Sequence, residues 1–353
     1  METYDPAASV GAGSIETMDA SITYRAHKFG GSSVADAERY RHVAALLQDS
    51  PAPRVVVVSA MQGVTDALIG LADAASRGGD WQAEWSQLRR RHLAEAERLD
   101  PRNSQALAAW FDSEFSSLWE SLGRIAAAGE LTDHAITAIQ GLGEVWSSRL
   151  LQAALGGEAS GWARLDARDV LVVHPGELGV AIDWPRTRAL FAGWRAGHAQ
   201  RDVVVTGFVA RDTDGRDATL GRNGSDYSGA IFAVLFGASE LTIWTDVDGV
   251  LSADPRLVPD AVCLPLMSYA EACELAYFGA KVLHPQTMAP AMQAGLPILI
   301  RNSRNPAAPG TRIAADSIAT VVDSPVKGLS LVRDMAVLEL SGAGLIGVPG
   351  TAE

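Results

Sequence analysis

The run Arg54-Val55-Val56-Val57-Val58-Ser59-Ala60 decides the fold. Four consecutive β-branched residues stiffen the chain toward an extended conformation and leave no polar face, so this strand is read as buried on both sides and central in its sheet. Strands of that kind belong to mostly parallel sheets covered by helices on both faces. Working outward, further β-rich runs at 22–29, 202–210, 240–246 and 296–302 alternate with longer helical patterns, which is the rhythm of an α/β domain. Between about 65 and 156 the pattern is helical, with Trp81, Trp85, Leu88, Leu93, Trp110, Phe111, Phe115 and Trp119 at three- and four-residue spacing. Such a stripe reads as core, not as a platform for a ligand. Pro101, within the polar segment 100–104, breaks the region into at least two helices.

The chain has 353 residues, 48% hydrophobic and 20% charged, enough for one large core or two moderate ones. Its net charge of -13 argues against a nucleic-acid partner, which requires a basic face. The one basic run, Arg89-Arg90-Arg91, reads as a solvated helix face. Cys263 and Cys273 fit neither a disulfide framework nor a metal site, so free buried thiols in a reducing, cytoplasmic compartment are expected. Residues 1–20 hold no Lys or Arg and no apolar run, unlike a signal or transit peptide, and are expected to form a disordered tail. No window approaches the roughly 18 to 20 apolar residues of a membrane span. The character changes after Gly310: residues 314–325 read as a linker and 334–342 as a new strand. With so little chain remaining, the sequence is expected to stop inside its next domain.

Chemistry concentrates in four segments. Leu220-Gly221-Arg222-Asn223-Gly224-Ser225-Asp226-Tyr227-Ser228-Gly229 sets a guanidinium, a carboxylate and hydroxyls among glycines, just before a helical pattern at 230–236. That composition suits small anions, and Arg222 offers a planar fork that fits a carboxylate. Asp226 either orients cationic groups and Mg2+ or only compensates a helix N-terminus. After the first strand, Lys28-Phe29-Gly30-Gly31-Ser32-Ser33 lets phosphate oxygens approach backbone N–H groups, although a tight turn without ligand would use the same glycines. Ser33 and Asp36 match a capping box, so a helix is expected near Val34. Thr245, Asp246 and Asp248 end a strand where open α/β sheets bind ligands. Downstream, Asp254-Pro255-Arg256 and Lys281 offer charge either to phosphates or to surface ion pairs. Neither the P-loop pattern nor the protein-kinase motif set is present.

In order and spacing, the segments 28–33, 220–228, 245–256 and 278–285 resemble those of aspartate kinases, in the amino-acid-kinase superfamily, over roughly residues 25 to 313. The closing segment 342–352 is similar to the start of the regulatory ACT region in bifunctional aspartate kinase–homoserine dehydrogenases. The resemblance implies a three-layer α/β/α fold with a mostly parallel central sheet. It implies a catalytic domain at 21–320, with an aspartate-binding lobe to about 215 and a nucleotide-binding lobe after it, then a linker and a truncated ACT start at 321–353. Carried over by position, it assigns catalytic roles to Lys28 and Asp226, and aspartate binding to Ser59, Thr65, Glu144, Phe208, Arg222 and Ser225. Glu144 meets the substrate's ammonium in this reading. MgATP falls to Lys28, Gly30, Gly31, Ser32, Thr245, Asp246, Asp254, Arg256 and Lys281, with no residue assigned as a direct metal ligand. Ser32 stands where threonine is commoner, and Leu251 where many members have tyrosine near the nucleotide.

The implied reaction is ATP plus L-aspartate giving ADP plus 4-phospho-L-aspartate, the first step toward lysine, threonine, methionine and isoleucine. A carboxylate with a reference pKa of roughly 3.9 is already ionised at neutral pH and needs no general base. Catalysis then falls to positioning and to cations that relieve repulsion between two anions. The parent enzyme is implied to be a homo-oligomer. Competing readings are another amino-acid or carbamate kinase on the same scaffold, or an inactive regulatory amino-acid-binding fragment.

Overall fold

A computed structural model describes residues 23–100, 104–176, 179–199, 201–277, 284–315 and 326–331. The expected tail at 1–20, Lys281, the strand at 334–342 and most of the linker at 314–325 lie outside them. The first half comprises β1 (Arg25–Phe29), α1 (Ala37–Gln48), β2 (Arg54–Val58), α2 (Val64–Ser76), α3 (Gln82–Leu99), α4 (Ser104–Ala128), α5 (Asp133–Gln140), α6 (Leu142–Ala154) and β3 (Trp162–Leu165). There follow β4 (Val172–Gly176), β5 (Gly179–Ile182), α7 (Trp184–Ala196), β6 (Asp202–Thr206), β7 (Val209–Asp212), β8 (Asp217–Thr219) and α8 (Gly224–Leu235). The last elements are β9 (Leu241–Thr245), β10 (Leu266–Ser268), α9 (Tyr269–Tyr277), α10 (Pro285–Gln293), β11 (Ile298–Asn302) and β12 (Thr311–Ala314).

Eight strands form the main sheet in the order β10-β12-β11-β9-β1-β2-β6-β3, parallel except where β12 runs against β11. The valine run lies inside it, with Val57 beside Lys28 on one flank and beside Val205 on the other. Because side chains alternate across a strand, Val55 and Val57 enter one core while Val56 and Val58 enter a second. The first core is closed by α7, α8, α9 and α10 through Phe191, Phe232, Ala272 and Met288. The second is closed by the helices between β1 and β3 through Tyr40, Leu68, Phe115 and Trp146. The sheet is therefore sandwiched, as the four valines require. Each fully buried valine contributes on the order of 1.5 to 3 kcal/mol relative to exposure, so a polar replacement at Val56 would break both the packing and the strand.

Several sequence expectations need correction. The run 202–210 is two strands, interrupted at Gly207 and Phe208, where Phe208 adopts φ 65°. A side chain at Gly207 would lie 2.7 Å from the Val58 carbonyl and 2.9 Å from Ser225 Cβ, so the chain must turn there on a bare backbone. Beyond the turn, β7 joins a second sheet, β5-β4-β7-β8, whose β4, β5 and β8 the sequence reading did not anticipate. Asp36, not Ser33, caps α1, accepting from Arg39 N at 2.9 Å, and a short 3-10 turn at Gly31–Val34 precedes it. α8 begins at Gly224, before the expected 230. The change of character after Gly310 coincides with β12, Thr311–Ala314, which joins the sheet between β10 and β11. Trp119 is 41% exposed and only edges the core, against Trp81 and Trp85. Arg91 is not merely solvated, because it donates to the carbonyls of Ala35 and Gln62, both at 3.1 Å. Cys263 and Cys273 are free thiols, each only partly buried. Among the described residues no helix is long and apolar enough to cross a membrane.

Candidate active site

The carboxyl ends of β1, β2 and β6 meet the first turns of α6 and α8 around a cavity of about 240 Å³. Lys28, Ser59, Thr65, Glu144, Phe208, Gly221, Asn223, Gly224, Ser225 and Asp226 line it. Lys28 is only 7% exposed, and its ammonium lies 2.6 Å from Asp226 Oδ1. Its stem runs against α8: a methyl group on Gly229 would stand 3.1 Å from Lys28 Cβ and 3.3 Å from Cγ. The glycine thus brings helix and strand close enough for the ion pair. Asp226 Oδ1 makes no hydrogen bond of good angle, and the ammonium is the partner that compensates its burial.

Glu144 occupies the first turn of α6, whose approach to the sheet depends on Gly143, because a Cβ there would meet Ala60 Cβ at 2.6 Å. It is 4% exposed. Ser225 Oγ donates to its Oε1 at 3.4 Å, while Oε2 is buried without any hydrogen-bond partner. Burial lifts its carboxyl to about 7, against the opposing pull of the Ala60 N–H, its own N–H, Ser225 and Lys28. An orphaned, desolvated oxygen at a cavity wall is a place for a donor brought by a ligand. Opposite it, Phe208 is held in its unusual backbone conformation by its N–H donating to Ser228 Oγ at 2.9 Å. Gly224 leaves room for that ring, since a Cβ there would fall 2.7 Å from Phe208 Cδ2. Asn223, at φ 58°, turns the chain into α8.

Seven expected residues therefore share one cavity: Lys28, Ser59, Thr65, Glu144, Phe208, Ser225 and Asp226. Arg222 does not line it and is exposed on the loop before α8. The residues expected at phosphates lie along the neighbouring strand ends. Gly30 N donates to the Trp244 carbonyl at 3.3 Å, and a Cβ on Gly31 would come within 2.9 Å of the Ala60 carbonyl. Ser32, in the same turn, is half-buried. Thr245 Oγ1 contacts Asp246 Oδ1 at 3.3 Å, and Arg256 grips Asp254 with Nε at 2.9 Å and Nη2 at 2.6 Å. Sequence reasoning missed Asn302, Ser303 and Asn305. Asn302 and Asn305 donate to the Asp248 carboxylate at 2.7 and 3.2 Å, and Ser303 N donates to the Thr245 carbonyl at 2.9 Å. A polar cluster after a strand signals only a turn, so nothing in the sequence distinguished them.

The family model described as "Amino acid kinase family" matches residues 24–302. The chain belongs to that family. This amino acid kinase is 40% identical over 337 residues to bifunctional aspartokinase/homoserine dehydrogenase 1 (chloroplastic) of Arabidopsis thaliana, across 94% of this chain and 37% of the relative. It is 36% identical over 294 residues to bifunctional aspartokinase/homoserine dehydrogenase 2 of Escherichia coli, across 81% of this chain and 35% of that protein. The chain thus spans little more than a third of these relatives. Among solved structures, E. coli aspartokinase III in complex with aspartate and ADP superposes with a TM-score of 0.75 at 30% identity, covering 83% of this chain and 64% of the other.

Proposed function

We propose that this amino acid kinase transfers a phosphoryl group from ATP to the side-chain carboxylate of L-aspartate, in the cytoplasm, as an early step of amino-acid biosynthesis. One observation carries the reading: a single small cavity presents a buried ammonium, Lys28, and a buried carboxyl with an unpartnered oxygen, Glu144. An amino acid with an anionic side chain has both complements. Its ammonium satisfies Glu144 Oε2, and its carboxylate approaches Lys28 near Asp226. An acylated amino group keeps a single N–H and loses the positive charge that would pair with an ionised, buried Glu144, which disfavours kinases of N-acylated substrates. The aspartokinase relatives, one of them bound to aspartate and ADP, support the same choice.

Ser59, Thr65 and Ser225 offer hydroxyls that orient the substrate inside the cavity, and Phe208 excludes water from one wall. Lys28 then spans attacking and transferring anions, lowering the repulsion between them as negative charge shifts toward the leaving phosphate. Arg222, on the loop over the cavity, holds a substrate carboxylate in a bidentate grip once the loop closes. The turn at Gly30, Gly31 and Ser32, with Thr245, Asp246, Asp254, Arg256 and Lys281, is assigned to the nucleotide. A Mg2+ ion would arrive on the triphosphate, with Asp226 able to help hold it. Bound Mg2+ would neutralise phosphate charge.

The deciding assay couples ADP release to aspartate in the presence of hydroxylamine, which converts an acyl phosphate to a hydroxamate. Aspartate-dependent hydroxamate is the expected product. ADP release with N-acetylglutamate but not aspartate would overturn the reading, as would aspartate binding with no ADP formed.

A further inference from the structure

Three adjacent strands of the main sheet, β11, β9 and β1, end side by side, and each leads into a loop at the proposed nucleotide side. Ser303, one residue past β11, ties all three ends together. Its N–H donates to the Thr245 carbonyl at 2.9 Å, and its hydroxyl lies 3.3 Å from that same oxygen. The hydroxyl also meets Ser33 Oγ at 2.8 Å, across 270 residues of sequence. Its own carbonyl is 2.5 Å from His42 Nε2, so that nitrogen carries the imidazole proton and α1 is joined to the knot. Both serines are buried, at 2% and 3% exposure.

Ser33 belongs to the turn of Gly30, Gly31 and Ser32, yet its hydroxyl does not cap the helix that follows, because Asp36 does so. That side chain is spent instead on a bond to the far loop. A backbone turn rich in glycine has little stiffness of its own. The Gly30 N–H ties the start of the turn to the Trp244 carbonyl at 3.3 Å, and the hydroxyl pair ties its far end, through Ser303, to the Thr245 carbonyl, while Asn302 and Asn305 on either side of Ser303 hold Asp248. We propose that Ser303, through Ser33, is a positioning residue that sets the spacing between the glycine turn and the end of β9, and thereby the affinity for nucleotide phosphates. The inference rests on the assignment of these loops to ATP. It concerns residues that touch no substrate.

A double-mutant cycle on the full chain tests it, with ADP and aspartate affinities measured by calorimetry for wild type, Ser303→Ala, Ser33→Ala and the double variant. Loss of one such bond is expected to weaken ADP binding about two- to tenfold. The double variant should be no weaker than the worse single variant, because both remove the same link. Aspartate affinity should stay within about twofold of wild type, a selectivity that general loosening of the fold would not give. Additive losses, unchanged ADP affinity, or equal losses for both ligands would overturn the proposal. A wild-type chain that binds no ADP would overturn the nucleotide assignment and this inference with it, whereas binding that is indifferent to the serines sinks the inference alone.

Discussion

Lys28, Glu144 and Asp226 are held by packing, whereas Asp246, Asp254 and Arg256 sit on open loops. The first group lies between strand ends and helix starts, where a Cβ on Gly143 or Gly224 would clash at 2.6 or 2.7 Å and one on Gly229 would press tightly on the Lys28 stem. The second group satisfies itself: the Arg256 and Asp254 side chains, 74% and 33% exposed, pair with each other. Charges fixed in a poorly hydrated cavity interact strongly and need little reorganisation, while exposed pairs are screened and contribute little. The cavity is thus preformed, whereas on the proposed nucleotide side the loops would exchange internal partners for ligand.

The severest way to break that contrast is Lys28→Ala. It should lower kcat by about a hundred- to a thousandfold, with near-native circular dichroism, and turnover within tenfold of wild type would remove Lys28 from the chemistry. Next comes Glu144→Gln, expected to weaken aspartate binding about a hundredfold by removing the charge that meets the ammonium. The wild-type affinity should itself climb about tenfold per pH unit up to about 7, where the buried carboxyl ionises, and then level off. The variant should lack that slope. Stability gives the opposite sign. A carboxyl lifted from 4.5 to about 7 is held protonated by the fold, so stability is lost as pH rises between those values, on the order of 3 kcal/mol in all. Glu144→Gln should accordingly raise Tm at pH 8 and not at pH 4.5.

Smaller effects sharpen the comparison. Arg222→Ala should raise the aspartate KM roughly tenfold, in keeping with loss of a charge-assisted contact made only with ligand present. An unchanged KM would leave Arg222 as the exposed surface residue it is on the loop before α8. Arg256→Ala should alter the nucleotide KM less than about fivefold, since the guanidinium is exposed and already paired with Asp254. A larger loss, measured by steady-state kinetics at two salt concentrations, would show that the open side is as well organised as the closed one.

The sequence revealed most where one residue type has one physical reason. The four valines specified a two-sided sheet, and the glycine-spaced Lys28 and Ser225-Asp226 segments marked strand-to-helix turns facing one cavity. It was silent where function depends on a rare backbone state or a distant partner. Nothing in 202–210 announced that Phe208 would take a left-handed conformation and split the strand, because propensity favours a continuous β run there. The link from Ser33 to Ser303 is equally invisible, since two ordinary serines far apart in sequence carry no periodic signal. Ser33 matched a capping pattern, and tertiary contact overrode it.

Gly229 has one last consequence. With α8 pressed against the stem of Lys28, the ammonium has little freedom to swing out to solvent and rests on Asp226. The pair leaves the cavity nearly charge-neutral around its principal cation. Stray chloride or inorganic phosphate would find that attraction already quenched, and the proposed substrate would have to draw the lysine from its carboxylate partner while also satisfying Glu144.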